Sequence, residues 1–184
     1  MTASAAAAPA PGQRDRWLAS RDDQLLADCD VHRYRASGPG GQHRNKTESA
    51  VRLRHRPSGI TAIAEDSRAQ PENKARALRR LREKLAVGLR EPVDLPAFAA
   101  TPSLAALLGG GTARLGEKTR QTPAYLIGMA QLLDVFVATG AEVAATAAAV
   151  GLTTGATSKL LMHDERFAAA ANAARAERGL RPLR

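Results

Sequence analysis

The stretch VRLRHRPSGITAIAE, Val51 to Glu65, decides the fold of the first half of the chain. Its first part alternates with the period of a half-buried strand, so that Val51 and Leu53 share one face. The opposite face carries three arginines: Arg52, Arg54 and Arg56. Residues 57–59 supply turn chemistry, and ITAIAE returns as a partner strand. The stretch predicts a β-hairpin with one arginine-lined face.

A glycine-rich segment, SGPGGQHRNK from Ser37 to Lys46, lies upstream of the hairpin and follows a predicted strand that begins at Val31. Because glycine tolerates positive φ and the close approach of another backbone, Gly40 and Gly41 can expose the main chain of Gln42 to a ligand. The residues alone are also compatible with a plain connection between a strand and a helix. The capping-box spacing of Asn45 and Glu48 predicts a short helix that begins at Asn45.

Downstream of the hairpin, the sequence from Glu72 to Val87 has the apolar spacing of an amphipathic helix. The predicted buried stripe is Ala75, Leu78, Leu81 and Leu85, and the basic residues Arg76, Arg79, Arg80, Arg82 and Lys84 are predicted to cover the rest. The first domain, residues 15–90, is therefore predicted to have the order β-turn-α-β-β-α.

The charge of the chain is concentrated in this first domain. The formal net charge is +9 over 184 residues, and between His32 and Arg90 there are 15 Lys and Arg residues against 5 acidic residues. Such a concentration of positive charge indicates a partner rich in phosphate. A solvated charged surface is the alternative interpretation of any charge run.

The remaining segments are predicted from composition. Residues 1–14 are predicted to be a disordered tail, and the segment Asp15 to Asp28 a short, weakly apolar lead-in. Residues 91–122 contain three prolines and the run Gly109 to Gly111, which predicts a linker. The alanine-rich residues 123–184 predict an all-α domain, with helices over about 124–139, 142–150, 153–162 and 164–177. The overall fold class is α+β, with a small all-α second domain.

Within that helical domain, Ala147, Gly151 and Leu160 have the spacing of a helix-turn-helix. An ordinary pair of helices in an alanine-rich bundle explains the pattern equally well. The predicted second helix has one basic residue, Lys159, so duplex DNA is weakly supported as its ligand. Docking to a ribosome or a protein is as plausible for this domain.

Several classes of site and location are predicted to be absent. The single Cys29 excludes an internal disulfide and a cysteine-based zinc site and suits a reducing cytoplasm. The four histidines lack metal-ligand spacing, so we expect no metal and no cofactor. No apolar run is long enough to cross a membrane.

The residues of the glycine segment and the hairpin together resemble the catalytic domain of the class I peptide-chain release factors, over residues 31–85. The similarity is carried by ASGPGGQHRNKTESAVRLRHRPSGI and by EDSRAQPENKARAL. The resemblance implies that the domain enters the ribosomal peptidyl-transferase centre and promotes hydrolysis of the ester that joins a peptide to its tRNA.

The resemblance also implies roles for individual residues. Gly40, Gly41 and Gln42 would be catalytic: the main-chain N–H of Gln42 would stabilise the reacting oxygen, and its side chain would help to select water. The RNA-binding residues implied by the resemblance and the basic pattern are Ser37, His43, Arg44, Asn45, Lys46, Arg52, Arg54, Arg56, Arg68, Gln70, Asn73 and Lys74. Two of these, His43 and Asn45, are expected to shape the loop rather than to transfer protons.

About thirty residues before Val31 are too few for a stop-codon-reading domain, so the sequence favours the codon-independent relatives that release peptides from stalled ribosomes. Those relatives usually end in a basic tail, whereas the predicted linker offers only Arg90, Arg114, Lys118 and Arg120. We expect a cytoplasmic monomer that acts on the ribosome and peptidyl-tRNA, with a possible second partner for the helical domain. The alternative is a non-catalytic ribosome- or nucleic-acid-binding module that acts through the helical domain.

Overall fold

The computed structural model describes residues 10–35, 48–110, 116 and 119–184. These residues divide into two compact units. Residues 20–85 form the first, the sheet unit, and residues 10–19 together with 86–184 form the second, the helical unit. The mixed α/β class predicted from the sequence is confirmed.

The sheet unit is built on antiparallel strands β1 (Cys29–Tyr34), β2 (Ala50–His55) and β3 (Thr61–Ala64), in the spatial order β1-β2-β3. Val31 of β1 pairs with Leu53, and Arg52 of β2 pairs with Ile63 of β3. The central strand has the alternation that the sequence predicts: Val51 and Leu53 are buried, while Arg52 and Arg54 are exposed. The hairpin with an arginine-lined face is confirmed.

Helix α3 (Gln70–Gly88) supplies the other side of the sheet unit's core. Leu78, Leu81 and Leu85 are buried as predicted, but Ala75 is exposed. The buried face instead continues from Leu81 to Ala77 and Asn73, at intervals of one helical turn. The prediction failed at Ala75 because a polar residue, Asn73, occupies the first position of the stripe.

Two basic residues of α3 cover the outer edge of β3. The Arg80 guanidinium donates to the Ile63 carbonyl at 2.7 Å, and the Lys84 ammonium donates to the Thr61 carbonyl at 2.8 Å. Arg80 also pairs with Asp66. An uncovered strand edge can pair with another chain, and these charged side chains prevent this.

The lead-in Asp15 to Asp28 is helical rather than irregular. It holds α1 (Gln13–Ala19), in the helical unit, and α2 (Asp22–Ala27), in the sheet unit. Leu18 and Leu25 are each at most 1% exposed, so both helices contribute to a core. Helices of seven and six residues are too short to show a clear period in sequence. The helix predicted from Asn45 begins outside the described residues, and Glu48 and Ser49 are not helical.

The helical unit contains α5 (Pro123–Ala138), α6 (Val143–Val150), α7 (Thr154–Met162) and α8 (Glu165–Ala176), close to their predicted bounds. The starts of α5, α7 and α8 are set by side chains that accept hydrogen bonds from the first turn: Thr122, Thr153 and Asp164. Gly151 ends α6 with φ 71°, and the Leu152 amide donates to the Ala147 carbonyl. Ala147 and Leu160 are buried, which fits a helix-turn-helix and an ordinary helix pair alike.

Part of the predicted linker is a packed helix. Helix α4 (Pro102–Gly110) buries Leu104 and Leu107, and it lies against α5 at Gly128. A β-carbon on Gly128 would come within 2.5 Å of Leu107 Cδ1 and 2.7 Å of the Ser103 carbonyl oxygen. The uniformly apolar sequence of α4 gives no helical period, which is why composition alone predicted a linker.

Candidate functional site

The residues predicted to be catalytic lie in residues 36–47, outside those the structure describes. These are Gly40, Gly41 and Gln42, and the predicted RNA-binding residues Ser37, His43, Arg44, Asn45 and Lys46 lie there too. The structure does describe the residues at which this segment joins the sheet. Tyr34 ends β1 and is paired with Ala50, the first residue of β2, so residues 35–49 connect two paired antiparallel strands.

Side-chain contacts hold the residues that flank this connection, which we call its stems: Tyr34 and Arg35 before it, Glu48 and Ser49 after it. The Tyr34 hydroxyl donates to Glu65 Oε2 at 3.3 Å, and burial together with the Glu65 charge raises the pKa of Tyr34. Arg35 Nε lies 3.8 Å from Glu48 Oε1, and both side chains are well exposed. An exposed pair of this kind adds little stability, so the buried contacts decide where the stems lie.

Asn73 makes the buried contact to the second stem. Its side chain is fully buried, and Nδ2 donates to the Ser49 carbonyl at 2.7 Å and to the Ser67 carbonyl at 2.8 Å. Its Oδ1 accepts from the Ser67 amide at 2.9 Å. The interpretation of Asn73 as an RNA contact is therefore corrected, because its side chain is enclosed and already bonded within the protein. A polar residue in register with Ala77 and Leu81 is the sequence signal that identifies it.

The candidate RNA-contacting surface is the outer face of the sheet, defined by Arg52 and Arg54 and by the residues paired with them. His32 and Ile63 lie opposite Arg52, and Asp30 and Thr61 lie opposite Arg54, so all share one face. Both arginines are exposed, and neither forms an ion pair with a residue that the structure describes. Their guanidinium groups are available to phosphate.

Other basic residues of the sheet unit already have protein partners. Arg56, predicted to bind RNA, lies 3.3 Å from Asp30 and donates to the Ala27 carbonyl at 2.5 Å, although its side chain stays half exposed. Arg82, predicted to lie on the surface of its helix, is 7% exposed and bonds to Asp22 and the Ser20 carbonyl. These bonds stabilise the fold, so the formal charge overstates the positive charge available to a ligand.

The remaining predicted RNA-binding residues lie around the start of α3. Arg68 and Lys74 are exposed, and Gln70, the first residue of α3, is half-buried. Asn73 lies among them in sequence but points inward. Arg68 and Lys74 thus extend the set of exposed cations beyond the outer face of the sheet.

His55 and Cys29, two buried titratable residues of the sheet unit, are unsuited to chemistry. His55 is fully buried, with Nδ1 2.8 Å from Ser58 Oγ, and burial lowers the pKa of its imidazole. Burial raises the pKa of the Cys29 thiol to about 11, and Sγ donates to the Leu25 carbonyl. A thiol with so high a pKa is a poor nucleophile at neutral pH.

The helical unit holds a buried ionic cluster that sequence reasoning missed, here called the Asp134 cluster. Asp134 accepts from Arg14 at 2.6 Å, from Arg90 at 2.9 Å and from the Glu91 amide at 3.2 Å. Arg14 is fully buried and also bonds to Asp15. A cleft of about 260 Å³, lined by carboxylates and by Phe98 and Val93, borders the cluster. Arg90, one of the cations predicted for the linker, is used here as a structural residue.

The described residues contain no candidate membrane span and no candidate metal site. No helix among them is long and apolar enough to cross a membrane. In the same residues, no group of three or more histidine, cysteine or acidic side chains could hold a metal ion.

Comparison with known proteins identifies the sheet unit. Residues 25–94 match the RF-1 domain, the catalytic domain of class I release factors. The resemblance inferred from the sequence is thereby confirmed.

Similar proteins include bacterial peptide chain release factors. Peptide chain release factor 1 of Geobacter sulfurreducens is 51% identical over 65 residues, 35% of this chain and 18% of that protein. Peptide chain release factor 2 of Acidithiobacillus ferrooxidans is 56% identical over 59 residues, 32% of this chain and 16% of that protein. Peptide chain release factor 1 of Erythrobacter litoralis is 45% identical over 89 residues, 48% of this chain and 23% of that protein. The chain thus spans about a fifth of the length of these relatives.

Proposed function

We propose that the protein hydrolyses the ester of peptidyl-tRNA on the ribosome and releases the peptide without reading a stop codon. The observation that carries the proposal is the RF-1 domain match over residues 25–94. Arg52 and Arg54, exposed and without an ion-pair partner among the residues that the structure describes, support it, because an RNA partner needs cations that the fold does not already use. The proposed place of action is the cytoplasm, where ribosomes and peptidyl-tRNA are found.

The proposed chemistry is attack of water on the ester carbonyl carbon. The bond between that carbon and the ribose oxygen of the tRNA breaks, and the ribose oxygen takes up a proton. Gly40 and Gly41 would let the Gln42 amide approach the developing negative charge, and the Gln42 side chain would select water. A main-chain donor acts without any titrating side chain, so the protein would contribute a shaped loop and no acid–base pair. Ribosomal RNA would then supply much of the rest of the active site.

Codon independence is the finer part of the proposal. The alignments with release factors cover 16–23% of those proteins. The rest of the described chain forms the helical unit, with the Asp134 cluster and α4 to α8. The proposed role therefore requires only the ester hydrolysis assigned to the RF-1 domain. The helical unit would bind the stalled ribosome or a second partner.

Peptide release from three kinds of stalled ribosome tests the proposal. Ribosomes carrying labelled peptidyl-tRNA would have an empty, a sense-codon-filled or a stop-codon-filled decoding site. We expect release from the ribosomes with the empty site and no preference for the stop codon. Strict dependence on a stop codon would contradict codon independence, and absence of release from all three would contradict the hydrolase.

Two variants test the chemistry separately from binding. Gly41→Ala is expected to lower release by at least about 100-fold, because an added β-carbon would disturb the approach of the main-chain oxyanion donor, while ribosome binding persists. Gln42→Ala keeps that donor and is expected to lower release by removing the side chain that selects water. Lys159→Glu, in the exposed part of α7, tests the non-catalytic alternative. If Lys159→Glu abolishes ribosome binding and the unsubstituted protein releases no peptide, the helical unit carries the function instead.

A further inference from the structure

Asn73 uses three of the four hydrogen bonds that a primary amide can form, and they reach two chain segments. Its NH₂ group donates to two carbonyls, those of Ser49 and Ser67, and its Oδ1 accepts from the Ser67 amide. No other side chain of similar size offers two donors and an acceptor in this arrangement. Aspartate would retain the acceptor and lose both donors, and alanine would lose all three.

The positions of the two bonded segments give this amide its significance. Ser49 is the second residue after the segment that carries Gly40, Gly41 and Gln42. Ser67 lies in the turn between β3 and α3, and Glu65 of the same turn accepts from Tyr34, which ends β1. One turn, residues 65–67, therefore receives contacts from both stems: directly from Tyr34, and through Asn73 from Ser49.

Asn73 itself is held firmly in place. It lies in the first turn of α3, where its amide donates to the Ala69 carbonyl at 3.2 Å, and its side chain is 0% exposed. On the same face of α3, Ala77 and Leu81 are also 0% exposed. The Asn73 side chain is fixed by packing and by three hydrogen bonds. It therefore holds the Ser49 carbonyl at a defined position relative to α3.

We infer that Asn73 is a positioning residue that sets where the segment bearing Gln42 leaves the sheet, and so aligns it for ester hydrolysis. The inference rests on the proposed function, because it assigns Asn73 a task in that reaction. It also reassigns the residue: Asn73 acts through Ser49 and does not contact RNA. Misplacement of a reacting group by about 1 Å can reduce the rate about 100-fold, so a change at this contact reaches the chemistry.

The experiment compares Asn73→Ala with Leu81→Ala in the full-length protein. Leu81 is fully buried in the same helix, so its truncation destabilises the sheet unit without touching either stem. Release from ribosomes with an empty decoding site is measured at several protein concentrations, at a temperature where circular dichroism shows both variants folded. For Asn73→Ala we expect kcat to fall about 10- to 100-fold with KM nearly unchanged. For Leu81→Ala both constants should stay near the unsubstituted values.

Equal loss of kcat in the two variants, or an unchanged kcat in Asn73→Ala, would overturn the inference. If Asn73→Ala does not fold, Asn73→Ser takes its place in the experiment. Serine retains one possible hydrogen-bond donor, so we expect a kcat between that of the unsubstituted protein and that expected for Asn73→Ala. Glu72→Gln, exposed in the same turn of α3, controls for substitution at the helix start and should leave kcat unchanged.

Hydrogen exchange separates this inference from the proposed function. In the free protein, Asn73→Ala should speed amide exchange at residues 49–51 more than in β3, whereas Leu81→Ala should act on both alike. If the unsubstituted protein releases no peptide, the proposed function fails, and this exchange pattern still decides whether Asn73 fixes the stem. Uniform exchange in Asn73→Ala would overturn the inference even if release is active.

Discussion

Arg14 and Asp134 lie 2.6 Å apart, with side chains that are 0% and 3% exposed. They join α1 to α5 across 120 residues of sequence. Arg90 binds the other oxygen of the same carboxylate. One carboxylate therefore pairs with two arginines inside the helical unit.

Asp134→Asn is expected to destabilise the protein by about 3–5 kcal/mol, because it removes a buried carboxylate that pairs with both the buried Arg14 and the partly buried Arg90. The measurement is urea denaturation followed by circular dichroism. Glu177→Gln removes one partner of an exposed pair in the same unit and should change stability by less than about 1 kcal/mol. Equal effects of the two substitutions would show that the Asp134 cluster contributes no more than a surface pair.

The buried His55 predicts a loss of stability on mild acidification. Burial lowers the pKa of the His55 imidazole. The negative charge of Asp28 opposes this shift, and the positive charge of Arg56 adds to it. The unfolded chain takes up a proton at about pH 6.5, while the folded protein keeps a neutral ring, so the unfolded state binds more protons. The free energy of unfolding should therefore fall as the pH drops below about 6.5, towards the folded-state pKa.

His55→Asn should flatten this pH dependence between about pH 7 and pH 5, whatever its effect on stability at neutral pH. Urea denaturation at a series of pH values gives the slope. The exposed His32, on β1, is the matched control, and His32→Asn should leave the slope in place. An unchanged slope in His55→Asn would assign the acid sensitivity to other groups.

The exposed arginines of β2 predict the salt dependence of ribosome binding. Arg52→Ala with Arg54→Ala should weaken binding and lower the slope of log affinity against log salt by about 1.4–1.8, at roughly 0.7–0.9 per phosphate contact. Affinity is measured by co-sedimentation at several salt concentrations. Arg80→Ala removes a cation already bonded to Asp66 and the Ile63 carbonyl, so it should leave the slope unchanged. If Arg80→Ala lowers the slope as much as the double variant, the outer face is not the RNA-contacting surface.

Gly128 predicts a strict size limit where α4 meets α5. Gly128→Ala places a methyl group 2.5 Å from Leu107 Cδ1 and 2.7 Å from a main-chain oxygen, and should cost about 1–3 kcal/mol or more by overpacking. Gly155→Ala in α7 meets nothing within 4 Å, and alanine favours a helix by about 1 kcal/mol over glycine. Thermal denaturation should show opposite shifts for the two substitutions. Equal shifts would contradict close packing at Gly128.

Sequence by itself determined the elements whose pattern is local. The alternation around Leu53 predicted β2 and its arginine face, and the helical pattern of residues 123–184 predicted the helices α5 to α8 of the helical unit. The resemblance to release factors likewise rests on consecutive residues. In each case the information lies within a few positions, because strand period, turn chemistry and helix capping are short-range effects.

Only the tertiary structure decided which polar residues face inward and what they bind. Arg14, Arg82 and Asn73 are polar residues of the kind usually found at a protein surface. Each nevertheless bonds to a residue that is distant in sequence: Arg14 to Asp134, Arg82 to Asp22 and Asn73 to Ser49. Burying a polar group is favourable only when such partners are present, and no local pattern reveals them. For the same reason, the sequence predicted twelve RNA-binding positions without distinguishing Asn73, which holds the fold, from Arg52 and Arg54, which remain exposed and unpaired within the described chain.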